Sequence, residues 1–333
     1  MYEVGLVVIG RNEGDRLHQC FLSVLERVND IVYLDSGSSD GSVALARSLG
    51  IEVVELDLTI PFTAARARNE GFEHLLKINP YLEYVQFVDG DCAIASQWLE
   101  SAVFELKHRP EFAVVCGRRR ERYPHKTIYN RLCDIEWDTP VGETGACGGD
   151  AMMRVEAFQQ IGGFNSGLIA GEEPELCVRL RQQGWKILRI SAEMTLHDAQ
   201  MVKFGQWWNR TMRAGHAYAE GAWLHGKSPE KHWVKESKSI WFWGLILPLL
   251  VFSMLPLTQG WSLILLGGYP VLIYRIYQRK QQDLGSQDAL LYAYFCAIGK
   301  FAQAQGQIMF YLTKLRKKRS TLIEYKTLAN NVK

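Results

Sequence analysis

Short apolar runs alternate with helical patterns along the first ninety residues, and that rhythm restricts the chain more than any other feature. "VGLVVI" reads as a strand, and the segment after it places Leu17, Phe21, Val24, Leu25 and Val28 at helical spacing. "DIVYLD" is a second strand, and "SSDGSVALARSLG" is a helix that stops at Gly50. "IEVVEL" is a third strand, "ARARNEGFEHLLKI" is helical, and "YVQFVD" is the fourth strand. Such alternation predicts an α/β fold: a Rossmann-like, mostly parallel sheet flanked by helices. Ligands of such sheets sit at the carboxyl ends of the strands. The strand exits here are "VIGRNE", "LDSGSSDG" and "FVDGDC", so the informative residues gather at one edge.

The later chain is different. From Ser239 to Tyr274 there is no charged residue, and the stretch divides at "LPLTQG", residues 255–260, into two apolar segments of about spanning length. Lys231, Lys235 and Lys238 precede it, and Arg275, Arg279 and Lys280 follow. Basic residues at both outer ends suit a hairpin with its ends on the cytoplasmic side. Seven of the ten tryptophans lie between Trp207 and Trp261, where an interfacial belt would fall. A hairpin that spans the bilayer, one that packs at its surface, and a buried hairpin of a soluble protein all fit this pattern. Residues 286–313 form a third apolar helix interrupted by Lys300, Gln303, Gln305 and Gln307, as in an interfacial helix, before the basic "KLRKKR". The expected divisions are a catalytic domain at 1–235, an apolar helical hairpin at 236–280, and an amphipathic helix with a basic tail at 281–333.

The formal charge of +2 on 333 residues gives no ground for nucleic-acid binding. The seven cysteines form no CxxC pair and are odd in number, which argues against a disulfide framework or structural zinc and fits a reducing compartment. "MYEVGLVVIG" has no basic n-region and no small-residue cleavage site, so a secretory signal is not expected.

Asp89 and Asp91 flank Gly90 at the tip of the fourth strand. Residues two apart on a strand face one side, and glycine between them leaves room for close approach. Two carboxylates aimed at one point repel unless a cation joins them. A hard divalent ion, Mg²⁺ or Mn²⁺, takes such oxygen ligands together with substrate phosphates. "DGD" also occurs in ordinary turns. Before "PELCVRLRQQGW", the pair Glu172-Glu173 is expected just ahead of a helix that Gly184 closes, with Pro174 in its first turn. A helix N-terminus favours the anion, whereas an efficient base needs a pKa nearer the operating pH. "GRRRER", residues 117–122, reads as a solvated charge run.

The ordered set "VVIGRNE", "DSGSSDGS", "ARARNEG", "FVDGD", "GGDAMMRVEAFQQIGGF" and "GEEPELCVRLRQQGW" resembles the family 2 glycosyltransferases over about residues 4–200. The resemblance implies a GT-A fold with a C-terminal membrane-associated helical region. It implies a nucleotide-diphosphate sugar held through Arg11, Glu13, Asp35, Ser38, Arg68 and Asp89, and a Mg²⁺ or Mn²⁺ ion held by Asp89, Asp91 and His197. It makes Glu173 the general base, with Glu172 the alternative. Where the family commonly has Glu-Asp, this chain has Glu-Glu, one methylene longer in reach. The implied activity is inverting, metal-dependent transfer of a sugar to a saccharide or lipid-linked acceptor, in bacterial polysaccharide or glycolipid synthesis at the cytoplasmic face of the inner (plasma) membrane. The processive Gln-x-x-Arg-Trp pattern is not met, since residues 206–210 read "QWWNR". A nucleotidyltransferase would need a glycine-arginine-rich phosphate loop where "GRNEGDR" stands. A non-catalytic nucleotide-binding partner in an assembly complex is the remaining alternative, and nucleotide binding without turnover would mark it.

Overall fold

A computed structural model describes residues 4–317, 321 and 323. The chain divides into two compact units, one of Met1–Pro124 with Glu136–Ala199, the other of His125–Ile135 with Gln200–Lys333.

The first unit is built on a nine-stranded sheet. Its strands are β1 (Val4–Gly10), β2 (Ile31–Asp35), β3 (Glu52–Glu55), β4 (Tyr84–Asp89), β5 (Cys92–Ile94), β6 (Phe112–Glu121), β7 (Gly142–Thr144), β8 (Ala151–Arg154) and β9 (Lys186–His197). The order is β3-β2-β1-β4-β8-β6-β9-β5, with β7 also paired to β9. Helices α1 (Asp15–Leu22), α2 (Ser42–Ser48) and α3 (Ala64–Ile78) make the crossovers of the first half, and all of its pairs are parallel. The second half corrects the expectation of a mostly parallel sheet. There β4-β8, β6-β8, β5-β9 and β7-β9 are antiparallel, and only β6-β9 is parallel. The sheet is mixed because sequence rhythm reports only crossovers of the βαβ kind, and β8 enters the sheet between β4 and β6 without one.

Burial explains the strands. Leu6, Val7, Val8, Val32, Leu34, Val85 and Val88 are fully buried, as expected of parallel strands covered on both faces. Side chains of this size each contribute about 1.5–3 kcal/mol when removed from water. The backbone of α3 comes close to β1 and β2 at Gly71, where a Cβ would lie 2.5 Å from Leu34 and 2.6 Å from Val7. This contact sets the height of Arg68 above the sheet edge. After α4 (Trp98–His108), the expected solvated run 117–122 proves to be the end of β6. Past an irregularity at Arg118, strand alternation sends Arg119 and Glu121 to one side and Arg120 to the other. Glu121 is buried and Arg120 is exposed.

The second unit is helical: α5 (Ile128–Glu136, one residue beyond the unit), α8 (Phe204–His225), α9 (Val234–Trp241), α10 (Leu247–Met254) and α11 (Gly268–Leu315). (The first unit holds α6, Val155–Gln160, and α7, Glu172–Gln182.) Gln206 does not serve a processive motif. Its Oε1 accepts the N–H groups of Val202 and Lys203 and so caps α8. At Gly215 and Gly306, α8 and α11 meet backbone to backbone. α9 and α10 join through a π turn, Phe242–Ile246, into the helical run Val234–Met254. Among the described residues, this run alone is long and apolar enough to cross a membrane. The second expected segment does not qualify. It begins as a 3-10 turn, Trp261–Gly267, and then enters α11, which takes up Arg275, Arg279 and Lys280. α11 breaks at Gly285 (φ 75°, ψ 167°), where the expected third helix begins. Tyr269 stacks on Phe301 at 5.7 Å, whereas a straight helix would part them by about 48 Å. The chain therefore doubles back at Gly285. Lys318 and Arg319 of the basic tail lie outside the described residues.

Candidate active site

The carboxyl edge of β1, β2 and β4 carries the first group of expected residues. Asp35, at the end of β2 and 2% exposed, accepts the Tyr33 hydroxyl on Oδ1 at 2.9 Å. Its Oδ2 accepts the Gly37 and Ser38 N–H groups at 2.9 and 2.7 Å. Ser38 Oγ in turn accepts the Asn12 N–H, and Asn12 Oδ1 accepts the Ser39 N–H. The β1 and β2 exits are thus tied together before any ligand arrives. Asp40 takes Ser42 N–H and hydroxyl at the start of α2, as a capping residue should. Glu13 is buried and paired with Arg16 at 2.6 Å, and Arg11 is exposed at the same edge.

A second group forms around Arg68. Thr63 caps α3 by accepting the Arg66 N–H, and Arg68 follows one turn in. Its Nη1 donates to Glu172 Oε1 at 3.0 Å and Glu173 Oε1 at 2.9 Å, and its Nη2 donates to Asp89 Oδ1 at 2.8 Å. Glu172 and Glu173 are not ahead of the helix as expected. They are the first two residues of α7, after Gly171 in the left-handed region at φ 79°. Pro174 is still tolerated, because an N–H in the first turn has no helical partner to lose. One guanidinium here serves three carboxylates. Burial raises the pKa of Glu173, and repulsion from Glu172 and Asp89 adds to it. Against the lowering influence of Arg68, the result is about 7. At this helix terminus burial and neighbouring carboxylates outweigh the influences that favour the anion.

Asp89 is held from the other side as well. Arg119 Nη2 lies 3.1 Å from Asp89 Oδ2 and 2.7 Å from Asp150 Oδ2. Asp150, wholly buried, also accepts the Thr195 hydroxyl at 2.6 Å and the Asp89 N–H at 3.1 Å. Gly149 lies over this knot: a Cβ there would sit 2.6 Å from Arg68 Nη2, 3.1 Å from Glu173 Oε1 and 3.2 Å from Asp89 Oδ2. Arg119, Asp150, Thr195 and Gly149 were not expected as site residues. The "GGD" of residues 148–150 was the available signal, since two glycines before a buried aspartate mark close approach.

Asp91 belongs to a third group. β4 ends at Asp89 and β5 begins at Cys92, so Asp91 lies in the turn between them, and strand alternation does not govern it. Its Oδ2 is 3.1 Å from Nε2 of His197 at the end of β9, and His197 Nδ1 is 3.6 Å from Glu121 Oε2. Burial alone would lower the histidine's pKa, but Asp91 and Glu121 outweigh burial and raise it. Ligand atoms of Asp91, Cys92 and His197 lie within 4.8 Å of one another, as do those of Asp89, Cys92 and Asp150. The two aspartates therefore fall into different clusters. A carboxylate and an imidazole converge at the Asp91-His197 pair, which would hold a divalent ion with the imidazole in its neutral form. Burial first, then nearby carboxylates, push the Cys92 thiol well up, so it stays protonated and is a poor ligand. Asp89 is salt-bridged to Arg68 and Arg119, which it shares with Glu172, Glu173 and Asp150. All seven cysteines are free.

Comparisons with known proteins bear on the family and the fold. Residues 6–162 match the family model for glycosyl transferase family 2, and residues 134–203 match that for the N-terminal domain of galactosyltransferase. Glycosyltransferase AglE of Haloferax volcanii is 21% identical over 225 residues, covering 64% of this chain and 71% of AglE. Among solved structures, mannosyltransferase PcManGT from Pyrobaculum calidifontis, in complex with GDP-Man and Mn²⁺, superposes with a TM-score of 0.61 at 17% identity. That match covers 92% of this chain and 87% of PcManGT. S. aureus TarS 1-349 gives 0.52 at 15% identity, covering 96% and 92%. Likeness at these identities establishes the GT-A fold.

Proposed function

With a family 2 glycosyltransferase domain over residues 6–162, the chain is a glycosyltransferase of that family, and from that premise we propose that it is an inverting enzyme with Glu173 as base. The carrying observation is the Glu173 carboxyl, raised to about 7 beside Arg68 and Asp89. Near neutral pH such a group is ionised often enough to accept a proton, yet basic enough to take one from a sugar hydroxyl. Arg68 fixes Oε1, and Oε2 receives the acceptor proton. The acceptor oxygen displaces the nucleoside diphosphate from the anomeric carbon in one step, which inverts that carbon and needs no protein nucleophile.

Asp35 and Ser38 shape the nucleotide edge, with Arg11 and Glu13 at its rim. Asp35 has oxygen capacity beyond the three hydrogen bonds it accepts, available to a ribose hydroxyl or base N–H. Arg68 and Arg119 hold Asp89 in place at the sugar-diphosphate end. Asp91 and His197 would hold a divalent ion, whose charge, when bound, offsets that of the diphosphate. The nucleotide-sugar donor is supported by the GDP-Man of the mannosyltransferase structure, and Mn²⁺ by the same structure. The acceptor is a saccharide or a lipid-linked saccharide at the cytoplasmic face of a membrane. That location draws on the apolar helix Val234–Met254 with its exposed Phe252, and on the exposed Leu257, Trp261 and Ile264 beyond it.

The test is thermal stability of the full chain with UDP, GDP, dTDP and CMP, with and without Mn²⁺. A nucleotide at a hundred times its dissociation constant adds about 2.7 kcal/mol. One nucleotide should raise the melting temperature in a Mn²⁺-dependent way, and Asp91→Asn should remove that dependence. No shift with any nucleotide would overturn the donor site.

A further inference from the structure

The proposed function gives the chain a membrane partner, and the following rests on that reading and sharpens it. The uncharged stretch does not run straight. From Gly244 the helix continues to Met254, the chain turns over Leu255–Gly260, and it returns through Trp261–Gly267. Gln259 and Gly260 take positive φ of 51° and 93° to make the turn. The arms close on each other: Leu247 and Val251 are buried, and the Ser262 hydroxyl donates to the Val251 carbonyl at 2.9 Å. At the base, the Tyr269 hydroxyl donates to the Trp243 carbonyl. Gly244 there lies so close to α11 that a Cβ would be 2.1 Å from the Lys300 carbonyl. Beyond this clasp the large side chains face outward, with Leu257 at 76% exposure and Trp261 at 75%.

Two measurements fix what such a hairpin can do. The helical arm from Gly244 to Met254 is about 16 Å long at 1.5 Å per residue. The 3-10 return is about 14 Å long at 2.0 Å per residue, and the hydrocarbon core of a bilayer is about 30 Å thick. The earlier part of the helix does not add to the reach: Lys235, Glu236 and Lys238 are charged, Ser237 is buried against Gln307 at 3.2 Å, Ile240 is buried, and Trp241 and Trp243 pack on Tyr311 and Tyr269 of α11. The turn is also built for a medium without water. Most of its N–H groups are satisfied: those of Leu255, Thr258, Gly260, Trp261, Ser262 and Leu263 donate within the hairpin, residue 256 is proline with none to donate, and those of Leu257 and Gln259 at the tip have no partner within it. We infer that the hairpin Gly244–Gly267 inserts into one leaflet of a bilayer and anchors the chain from one side without crossing. Charge agrees: Lys231, Lys235, Lys238, Arg275, Arg279 and Lys280 flank it against Glu230, Glu236 and Asp283, which favours anionic head groups.

The test uses the full chain with Cys296→Ser, which leaves only buried cysteines, and adds Leu257→Cys or, as a control on exposed α4, Lys107→Cys. Each is bound to preformed vesicles of phosphatidylcholine and phosphatidylglycerol in about equal parts. The vesicles are floated, and the protein is treated with a membrane-impermeant maleimide added outside or trapped in the lumen. The expected result is flotation with the chain, labelling of the control from outside, and no labelling of Leu257→Cys from either side until detergent is added. Labelling of Leu257→Cys from the lumen would show a span. Labelling from outside at the control's rate would show a hairpin that stays in water. Either result overturns the one-leaflet anchor and leaves membrane association standing, whereas failure to float would remove both.

Discussion

Glu173 is the proposed base, and its environment makes a signed prediction. Folding raises its carboxyl from the ordinary 4.5 to about 7, by burial and then by repulsion from Glu172. The base form therefore grows as pH rises through 7, and kcat/KM should rise with it. Stability runs the other way: the advantage of the protonated carboxyl is full below pH 4.5 and is lost as pH climbs to about 7. Arg68 lowers this pKa, so Arg68→Ala should move the rise in kcat/KM to higher pH. A profile that stays at the wild-type position would contradict the ion-pair account. Gly149→Ala places a methyl 2.6 Å from Arg68 Nη2. It should cost on the order of a hundredfold in kcat, as displacements of about 1 Å do, and lower the melting temperature by crowding the buried Arg68 ion pairs; wild-type kcat would contradict the account.

At the scale of elements, what could be read from the sequence follows from how local each signal is. The strands β1 to β4 were legible because each crossover helix sits next to its strand and carries its own period. The strands β5 and β7, three residues each, carry no period. The end of β6 was hidden by its arginines, since a charge run counts as solvated unless its partners are known. Arg119 finds Asp150, thirty-one residues away, and Asp89, thirty away. Asp91 was legible in the "DGD" at the strand tip and His197 came with the family resemblance, while Arg119, Glu121 and Thr195 required coordinates. The helical unit gives its own prediction. At Gly306 a Cβ would lie 2.0 Å from the Met212 carbonyl of α8. Gly306→Ala should therefore destabilise by about 1–3 kcal/mol through overpacking. A lower denaturant midpoint would record it, and an unchanged midpoint would contradict the close packing of α8 on α11.

For the whole molecule, the central claim is that a GT-A domain uses a partly buried, arginine-held glutamate to activate a sugar acceptor. Release of nucleoside diphosphate measures that claim directly, with a membrane lipid extract supplying acceptor and the nucleotide sugar chosen by the thermal panel. Wild type and Glu173→Gln would be followed between pH 5 and 9. The account predicts that wild-type kcat/KM rises through about pH 7, and that Glu173→Gln loses about two to four orders of magnitude in kcat and loses the rise. Glu173→Gln turning over at the wild-type rate, with the same pH profile, would contradict it.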